Sequence, residues 1–155
     1  MSVAFRRDGD EEHLEPRFEL PIPPGPNLVT RRGLMLTEAK VAELEAELLG
    51  LGDGSEIAAV RRQLRYWRTR RATAELAEIP DGSRVAFGCQ VTLALNGRER
   101  VITIVGDDEA LPVEGFLSFS APMSRAIMDA EVGDTVEFAG RADAIEILGI
   151  TVPGD

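Results

Sequence analysis

The sequence contains a single cysteine, Cys89, and a single histidine, His13. One cysteine excludes a disulfide framework within the chain. One histidine, set in a polar stretch, argues against a histidine-based metal site and against a Ser-His-Asp triad. Cys89 lies in a strand-like stretch, and we expect it to be a small buried core residue.

Long apolar runs are also missing. No stretch approaches the roughly 18 uncharged apolar residues that a transmembrane helix needs. No apolar run follows Arg6 and Arg7, so the sequence predicts no signal peptide. We therefore expect a soluble cytoplasmic protein that has no membrane partner.

Aromatic residues make up only 5% of the chain, so its core must be mainly aliphatic. Acidic residues outnumber basic ones 27 to 17, which gives a net charge of −10. We expect no direct binding of duplex DNA, because the phosphate backbone repels an acidic protein. The charge is uneven: residues 30–79 hold eight acids and nine bases, whereas residues 84–155 hold twelve acids and five bases.

Residues 1–29 form a leader with six acids, three bases and four prolines between positions 21 and 26. The prolines forbid a helix and favour an extended path. Two interpretations stay open. The leader is either disordered, or it is an arm that lies on the folded part through Phe18, Leu20 and Ile22.

Residues 30–79 are predicted to form an antiparallel helical hairpin. Thr30 suits an N-cap, and a heptad-like seam follows with Thr37 filling its gap. Gly50–Gly54 contains three glycines and predicts a turn, after which a second helix runs from Ser55 to Ala77. Two amphipathic helices with so short a connection must be antiparallel neighbours. The seam residues are Leu34, Val41, Leu44, Leu48 and Leu51, then Ile57, Val60, Leu64 and Trp67.

After Pro80-Asp81-Gly82 the pattern changes to alternation, which predicts a β domain over residues 84–155. Asn96-Gly97 indicates a type I′ hairpin turn. Further strands are predicted at 98–105, 116–118, 135–139 and 144–152, with one short helix at 122–128. The fold class is therefore α+β: a helical hairpin followed by a small antiparallel β domain with one short helix.

Three stretches, in this order, resemble motifs of the GreA/GreB transcription elongation factors. Val29–Gly33 is similar to the start of the family's coiled coil, and Gly52–Glu56 to its tip. Val105–Ala110 is similar to the family's VGxDEA segment. Residues 117–134 are similar to its "IS…SPLARALLG…VGD" segment, with Pro122, Arg125, Ala126, Gly133 and Asp134 matching. The resemblance covers roughly residues 28–152 and implies an FKBP-like C-terminal domain.

Three departures from the family pattern have consequences. Ala121 replaces the serine that usually precedes the proline, and Asp129 replaces the glycine that usually follows the short helix. Aspartate tolerates a left-handed helix cap better than most residues. The hairpin is short: residues 30–51 span about 33 Å of helix, whereas typical cleavage-stimulating members have a hairpin longer by several turns.

The tip acids Asp53 and Glu56 have two interpretations. The resemblance implies that they help to hold the second Mg²⁺ of the polymerase active site, an ion that takes oxygen ligands. Alternatively, Asp53 is an N-cap and Glu56 completes a capping box. In neither case does the chain have a catalytic set, a metal site or a cofactor of its own, and we expect it not to be an enzyme.

An arginine cluster, Arg61, Arg62, Arg65 and Arg68 with Arg70 and Arg71, surrounds Tyr66 and Trp67. It suits contact with the nascent RNA 3′ end or the polymerase channel, through charge and stacking. The alternative is that Glu43, Glu45 and Glu47 pair with these arginines across the hairpin. Trp67 lies on the seam and is expected to pack in the core.

The resemblance implies RNA polymerase as the partner, bound at its secondary channel. It also implies docking through the C-terminal domain, although residues 105–110 alone favour a turn that shapes the domain. Three hypotheses follow: an elongation factor that rescues backtracked complexes, a channel-binding regulator without cleavage stimulation, or a general protein-interaction module. Prolyl isomerase activity is not expected, because residues 84–155 contain no Trp or Tyr to wall a pocket. The expected docking residues are Asp107, Asp108, Glu109, Pro122 and Arg125.

Overall fold

Two units of structure emerge from a computed structural model that describes residues 19–52 and 54–153. One unit contains the described residues up to Pro24 together with Glu38–Ala72, and the other contains Gly25–Thr37 together with the chain from Thr73 onward. Of the residues singled out above, five lie outside the described ranges: Arg6, Arg7, His13, Phe18 and Asp53. The division differs from the predicted boundary at residues 79–83, because both ends of the hairpin contribute to the C-terminal unit.

The predicted hairpin consists of α1 (Arg31–Leu49) and α2 (Gly54–Thr73). Thr30 is the N-cap of α1, as predicted: its Oγ1 accepts a hydrogen bond from the Gly33 amide at 2.9 Å. The predicted seam holds the helices together. Its buried centre is Val41, Leu44, Val60 and Leu64, with Leu48, Leu51 and Trp67 packed against it.

The second helix ends four residues earlier than predicted. After Thr73 the chain forms β2 (Glu75–Leu76), which pairs in parallel with β1 (Leu28–Val29). The amides of Glu75 and Ala77 donate to the carbonyl oxygens of Asn27 and Val29, at 2.9 and 3.0 Å. This pairing uses amides that a longer helix would have used itself, and it makes the end of the leader part of the fold.

The C-terminal domain is built on a sheet of five strands: β3 (Gln90–Leu95), β4 (Arg98–Val105), β5 (Phe116–Ser118), β6 (Thr135–Phe138) and β7 (Arg141–Thr151). Their order in the sheet is β5-β4-β3-β7-β6. Asn96 (φ 50°) and Gly97 (φ 87°) form the predicted tight turn between β3 and β4. The predicted antiparallel domain contains one parallel pair at its edge, because β5 runs parallel to β4.

One short helix, α3 (Pro122–Ile127), packs with this sheet around an aliphatic core. The likeness of this domain to the FKBP fold stays a prediction. Cys89 is fully buried in this core, as expected. Asp129 has φ 69°, so the aspartate that replaces the family's usual glycine adopts the left-handed conformation. Fully buried members of this core include Val85, Cys89, Val91, Leu93, Ile102, Ile104, Ile127, Ile145 and Ile147.

Candidate functional site

The hairpin tip contains one acid whose position is described. Glu56 is exposed in the first turn of α2. Asp53 lies outside the described residues, so the structure tests neither the capping box nor the metal-delivering pair. A carboxylate in the first turn of a helix interacts favourably with the positive end of the helix dipole, which suits a capping role.

An arginine face runs along α2, and we define it by Arg61, Arg65 and Arg68. All three side chains are exposed, and their spacing of four and three residues puts them on one side of the helix. Arg62 is only half-buried beside them. This row is the largest concentration of exposed positive charge on α2.

Two carboxylates contact the arginine face. Arg68 Nη2 lies 2.8 Å from Glu45 Oε2 of α1, which confirms one of the predicted cross-hairpin pairs. Glu43 does not act in this way, because it pairs with Lys40 one turn earlier on its own helix, at 3.3 Å. The second carboxylate belongs to the leader and was not predicted.

Glu19 binds Arg65 through two parallel hydrogen bonds. Arg65 Nε donates to Glu19 Oε1 and Nη2 donates to Oε2, each at 2.8 Å. These bonds lower the pKa of Glu19, helped by the charges of Arg65 and Arg62, and raise the pKa of Arg65. Both side chains stay about half exposed, at 52% for Arg65 and 54% for Glu19. Part of the leader therefore does lie on the hairpin.

The aromatic pair on α2 is partly committed to packing. Trp67 packs against the seam, as predicted, and Tyr66 meets it edge to face at a centroid distance of 5.1 Å. An aromatic ring that is already packed has less free surface for stacking with a base. The charge of the arginine face is therefore its main feature for binding an anion.

The C-terminal domain gathers several predicted docking residues in one region. Asp107 Oδ1 accepts hydrogen bonds from Ser118 Oγ at 2.5 Å and Ser120 Oγ at 3.2 Å. Ser120 is two residues before Pro122, where α3 begins, so the VGxDEA-like turn and the start of α3 are neighbours. Pro122 and Arg125 are exposed, and Asp107 and Asp108 are half-buried. Sequence reasoning missed the two serines that join these motifs.

Glu109 is buried, in contrast to its expected role in docking. Its side chain is 4% exposed, and it accepts hydrogen bonds from Thr30 Oγ1 at 2.6 Å and Arg32 Nη1 at 2.7 Å. The Arg32 guanidinium also lies over the Phe116 ring, 4.7 Å from its centroid. These contacts favour the interpretation that residues 105–110 form a turn that shapes the domain, and direct docking through Glu109 stays an untested prediction.

Two glycines allow this close approach. A Cβ on Gly106 would overlap the carbonyl oxygen of Leu28, and a Cβ on Gly33 would lie 2.7 Å from Glu109 Oε1. Both glycines belong to the motifs that resemble the elongation factors. The first and third motifs are therefore in direct contact, although the bonded residues are 77 and 79 positions apart in the sequence.

The start of α3 shows the effect of the departure at Ala121. Ala121 is the N-cap of α3, and no side chain there accepts a hydrogen bond from the helix.

In the described parts of the chain, no cluster of three or more His, Cys, Asp or Glu side chains is arranged to hold a metal ion. None of the described helices is long and apolar enough to cross a membrane.

Comparison with known proteins agrees with the motifs. The family model described as "Transcription elongation factor, GreA/GreB, C-term" matches residues 80–151. Transcription elongation factor GreA of Sinorhizobium medicae is 38% identical over 85 residues, covering 51% of this chain and 54% of that protein. GreA of Desulfovibrio desulfuricans is 32% identical over 98 residues, covering 59% and 60%. The chain thus spans about half the length of the curated relatives it matches.

The solved structures to which this chain is similar include the crystal structure of GreA factor homolog 1 of Thermus thermophilus. It matches with a TM-score of 0.39 and 16% identity, covering 82% of this chain and 99% of that one. A GreA/GreB factor from Nitrosomonas europaea matches with a TM-score of 0.39 and 19% identity, covering 83% and 99%. Residues 80–151 are therefore similar to the C-terminal part of the GreA/GreB transcription elongation factors.

Proposed function

We propose that this chain binds bacterial RNA polymerase in the cytoplasm and regulates transcription from the polymerase secondary channel. The observation that carries the proposal is the family match over residues 80–151. The C-terminal domain docks at the channel rim and the hairpin enters the channel. The exposed or half-buried candidates Asp107, Asp108, Pro122 and Arg125 belong to the docking surface.

The hairpin length favours a regulator that stimulates cleavage weakly or not at all. The helices α1 and α2 have 19 and 20 residues, so each is roughly 28–30 Å long at about 1.5 Å per residue. If the tip reached the polymerase active site, Asp53 and Glu56 would add oxygen ligands to its second Mg²⁺, which activates the attacking water. A shorter hairpin fills the channel without supplying those ligands. The chemistry belongs to the polymerase in either case.

The arginine face gives the hairpin a second role inside the channel. Arg61, Arg65 and Arg68 are exposed on one side of α2, and such a row attracts the phosphates of a single strand. We propose that it contacts the 3′ end of nascent RNA. Duplex DNA is not an expected ligand, because the chain carries a net charge of −10.

Transcript cleavage by stalled, backtracked polymerase tests the role of the tip. Wild type is compared with a double variant, Asp53→Ala with Glu56→Ala, and with a control, Glu38→Ala with Glu47→Ala, which removes two exposed acids from α1. We expect weak or no stimulation by all three proteins. Strong stimulation by wild type and the control that disappears in the tip variant would contradict this and restore the cleavage role.

Binding to the polymerase is tested separately, by co-purification of the full chain with core RNA polymerase. We expect a complex that weakens as salt increases, because the proposed contacts are charged. Failure to bind core polymerase would overturn the proposal and favour a general protein-interaction module. If the tip acids form only a helix cap, the tip variant should bind normally and lose about 0.5–2 kcal/mol of stability.

A further inference from the structure

The leader supplies an intramolecular anion to the arginine face. Glu19 holds Arg65, the central residue of that face, through two hydrogen bonds of 2.8 Å. A planar, bidentate arginine–carboxylate pair uses the same donors that arginine would offer to a phosphate. Glu19 and a phosphate therefore cannot bind this edge of the Arg65 guanidinium at the same time.

The contact between Glu19 and Arg65 can be exchanged for a contact with another anion. Glu19 and Arg65 are each about half exposed, so both can regain water when they separate. The apolar residues that follow do not anchor the segment, because Leu20 and Ile22 keep 38% and 46% of their surface exposed. Four prolines between positions 21 and 26 restrict the backbone of the segment, which reduces the entropy lost when it lies on the helix.

We propose that the segment around Glu19 is a competitive mask for the arginine face, which an incoming RNA strand must displace. This inference rests on the proposed RNA contact and adds its regulation. Because the mask is part of the same chain, it acts at a fixed effective concentration, and it lowers affinity for any weakly held anion. A polyanion that contacts Arg61, Arg65 and Arg68 together can still displace a single carboxylate.

The experiment measures binding of a fluorescein-labelled oligouridine of about ten nucleotides to the full chain by fluorescence anisotropy at low salt. Glu19→Gln is compared with Glu114→Gln. Both substitutions remove one exposed negative charge, but Glu114 lies in the C-terminal domain and not on the hairpin. The pair therefore separates local unmasking from a change in net charge.

We expect Glu19→Gln to tighten RNA binding about two- to fivefold, the range expected for one exposed ion pair. Glu114→Gln should leave the affinity nearly unchanged. In an Arg65→Gln background, which itself binds RNA more weakly, Glu19→Gln should give no further gain. That loss of the effect would show that Glu19 acts through Arg65.

The outcomes separate the mask from the proposed function. If Arg65→Gln weakens RNA binding but Glu19→Gln binds the oligonucleotide with the same affinity as Glu114→Gln, the mask is overturned and the RNA contact stands. A gain from Glu19→Gln that persists in the Arg65→Gln background would also overturn the mask. If no variant binds the oligonucleotide, or if Arg65→Gln has no effect, the RNA contact itself is wrong and the mask falls with it.

Discussion

Replacing Glu109 should destabilise the C-terminal domain more than any exposed acid does. The Glu109 side chain is 4% exposed, and its carboxylate accepts one hydrogen bond from Thr30 and one from Arg32. A hydrogen bond to a charged group contributes about 1.5–3 kcal/mol, which we assign to the partly buried bond from Thr30. The Arg32 side chain is 55% exposed, so its ion pair is discounted to at most about 1 kcal/mol.

These contributions predict that Glu109→Ala lowers the free energy of unfolding by about 2–3 kcal/mol. The loss is no larger because removing the buried charge also removes its desolvation cost. Glu109→Gln should lose only about 1 kcal/mol. Its carbonyl oxygen still accepts from Thr30, but its amide group faces the Arg32 guanidinium as a second donor. The Thr30 cap itself remains in both variants, because Thr30 Oγ1 still accepts from the Gly33 amide.

The assay must report on the C-terminal domain, and the only tryptophan, Trp67, lies in the hairpin. Native-state hydrogen exchange of the β3 and β4 amides, read by mass spectrometry, meets this need. A loss of about 2 kcal/mol accelerates exchange roughly thirtyfold. Glu114→Ala is the control, because Glu114 is exposed on a neighbouring turn. The reasoning would be refuted if the β3 and β4 amides exchanged at the same rate in Glu109→Ala as in this control. It would also be refuted if Ala and Gln at position 109 accelerated exchange equally.

Three further predictions concern single positions. Burial raises the pKa of the Cys89 thiol, so its stabilising contribution is complete below about pH 8.5, the unfolded pKa, and is lost as pH rises through the folded pKa. Under reducing conditions, stability should therefore fall from pH 8 to 10 more steeply in wild type than in Cys89→Ala. Ala121→Ser should add about 1 kcal/mol by capping α3, and urea denaturation that shows no gain would count against a missing cap. Asp129→Gly should be more stable than Asp129→Ala by about 1 kcal/mol in the same assay, because residue 129 has φ 69°.

Local signals in the sequence predicted most of the elements. The seam, the Thr30 cap and the Asn96-Gly97 turn each depend on residues within a few positions of one another. The β6–β7 turn shows the limit, because Ala139 and Gly140 both take positive φ although Ala-Gly is not a strong turn signal. As a result β7 was predicted to begin at residue 144, whereas it begins at Arg141.

Contacts between distant segments could not be read from periodicity. The paired strands β1 and β2 have two residues each, too few for alternation to appear. The family motifs did mark Arg32 and Glu109 separately, and their opposite charges were a signal that the two motifs meet. Nothing comparable marked Glu19, because an acidic leader has several carboxylates and only the structure shows which of them meets Arg65.

Burial, more than distance, distinguishes the two ion pairs on which these proposals depend. Arg32–Glu109 and Arg65–Glu19 have similar lengths of 2.7 and 2.8 Å. Glu109 cannot regain water without opening the domain, so losing its partners leaves a buried charge. Glu19 is about half exposed and can separate from Arg65 at little cost. The first pair is therefore structural, and the proposed docking by residues 107–109 depends on Asp107 and Asp108. The second pair is exchangeable, as a mask requires.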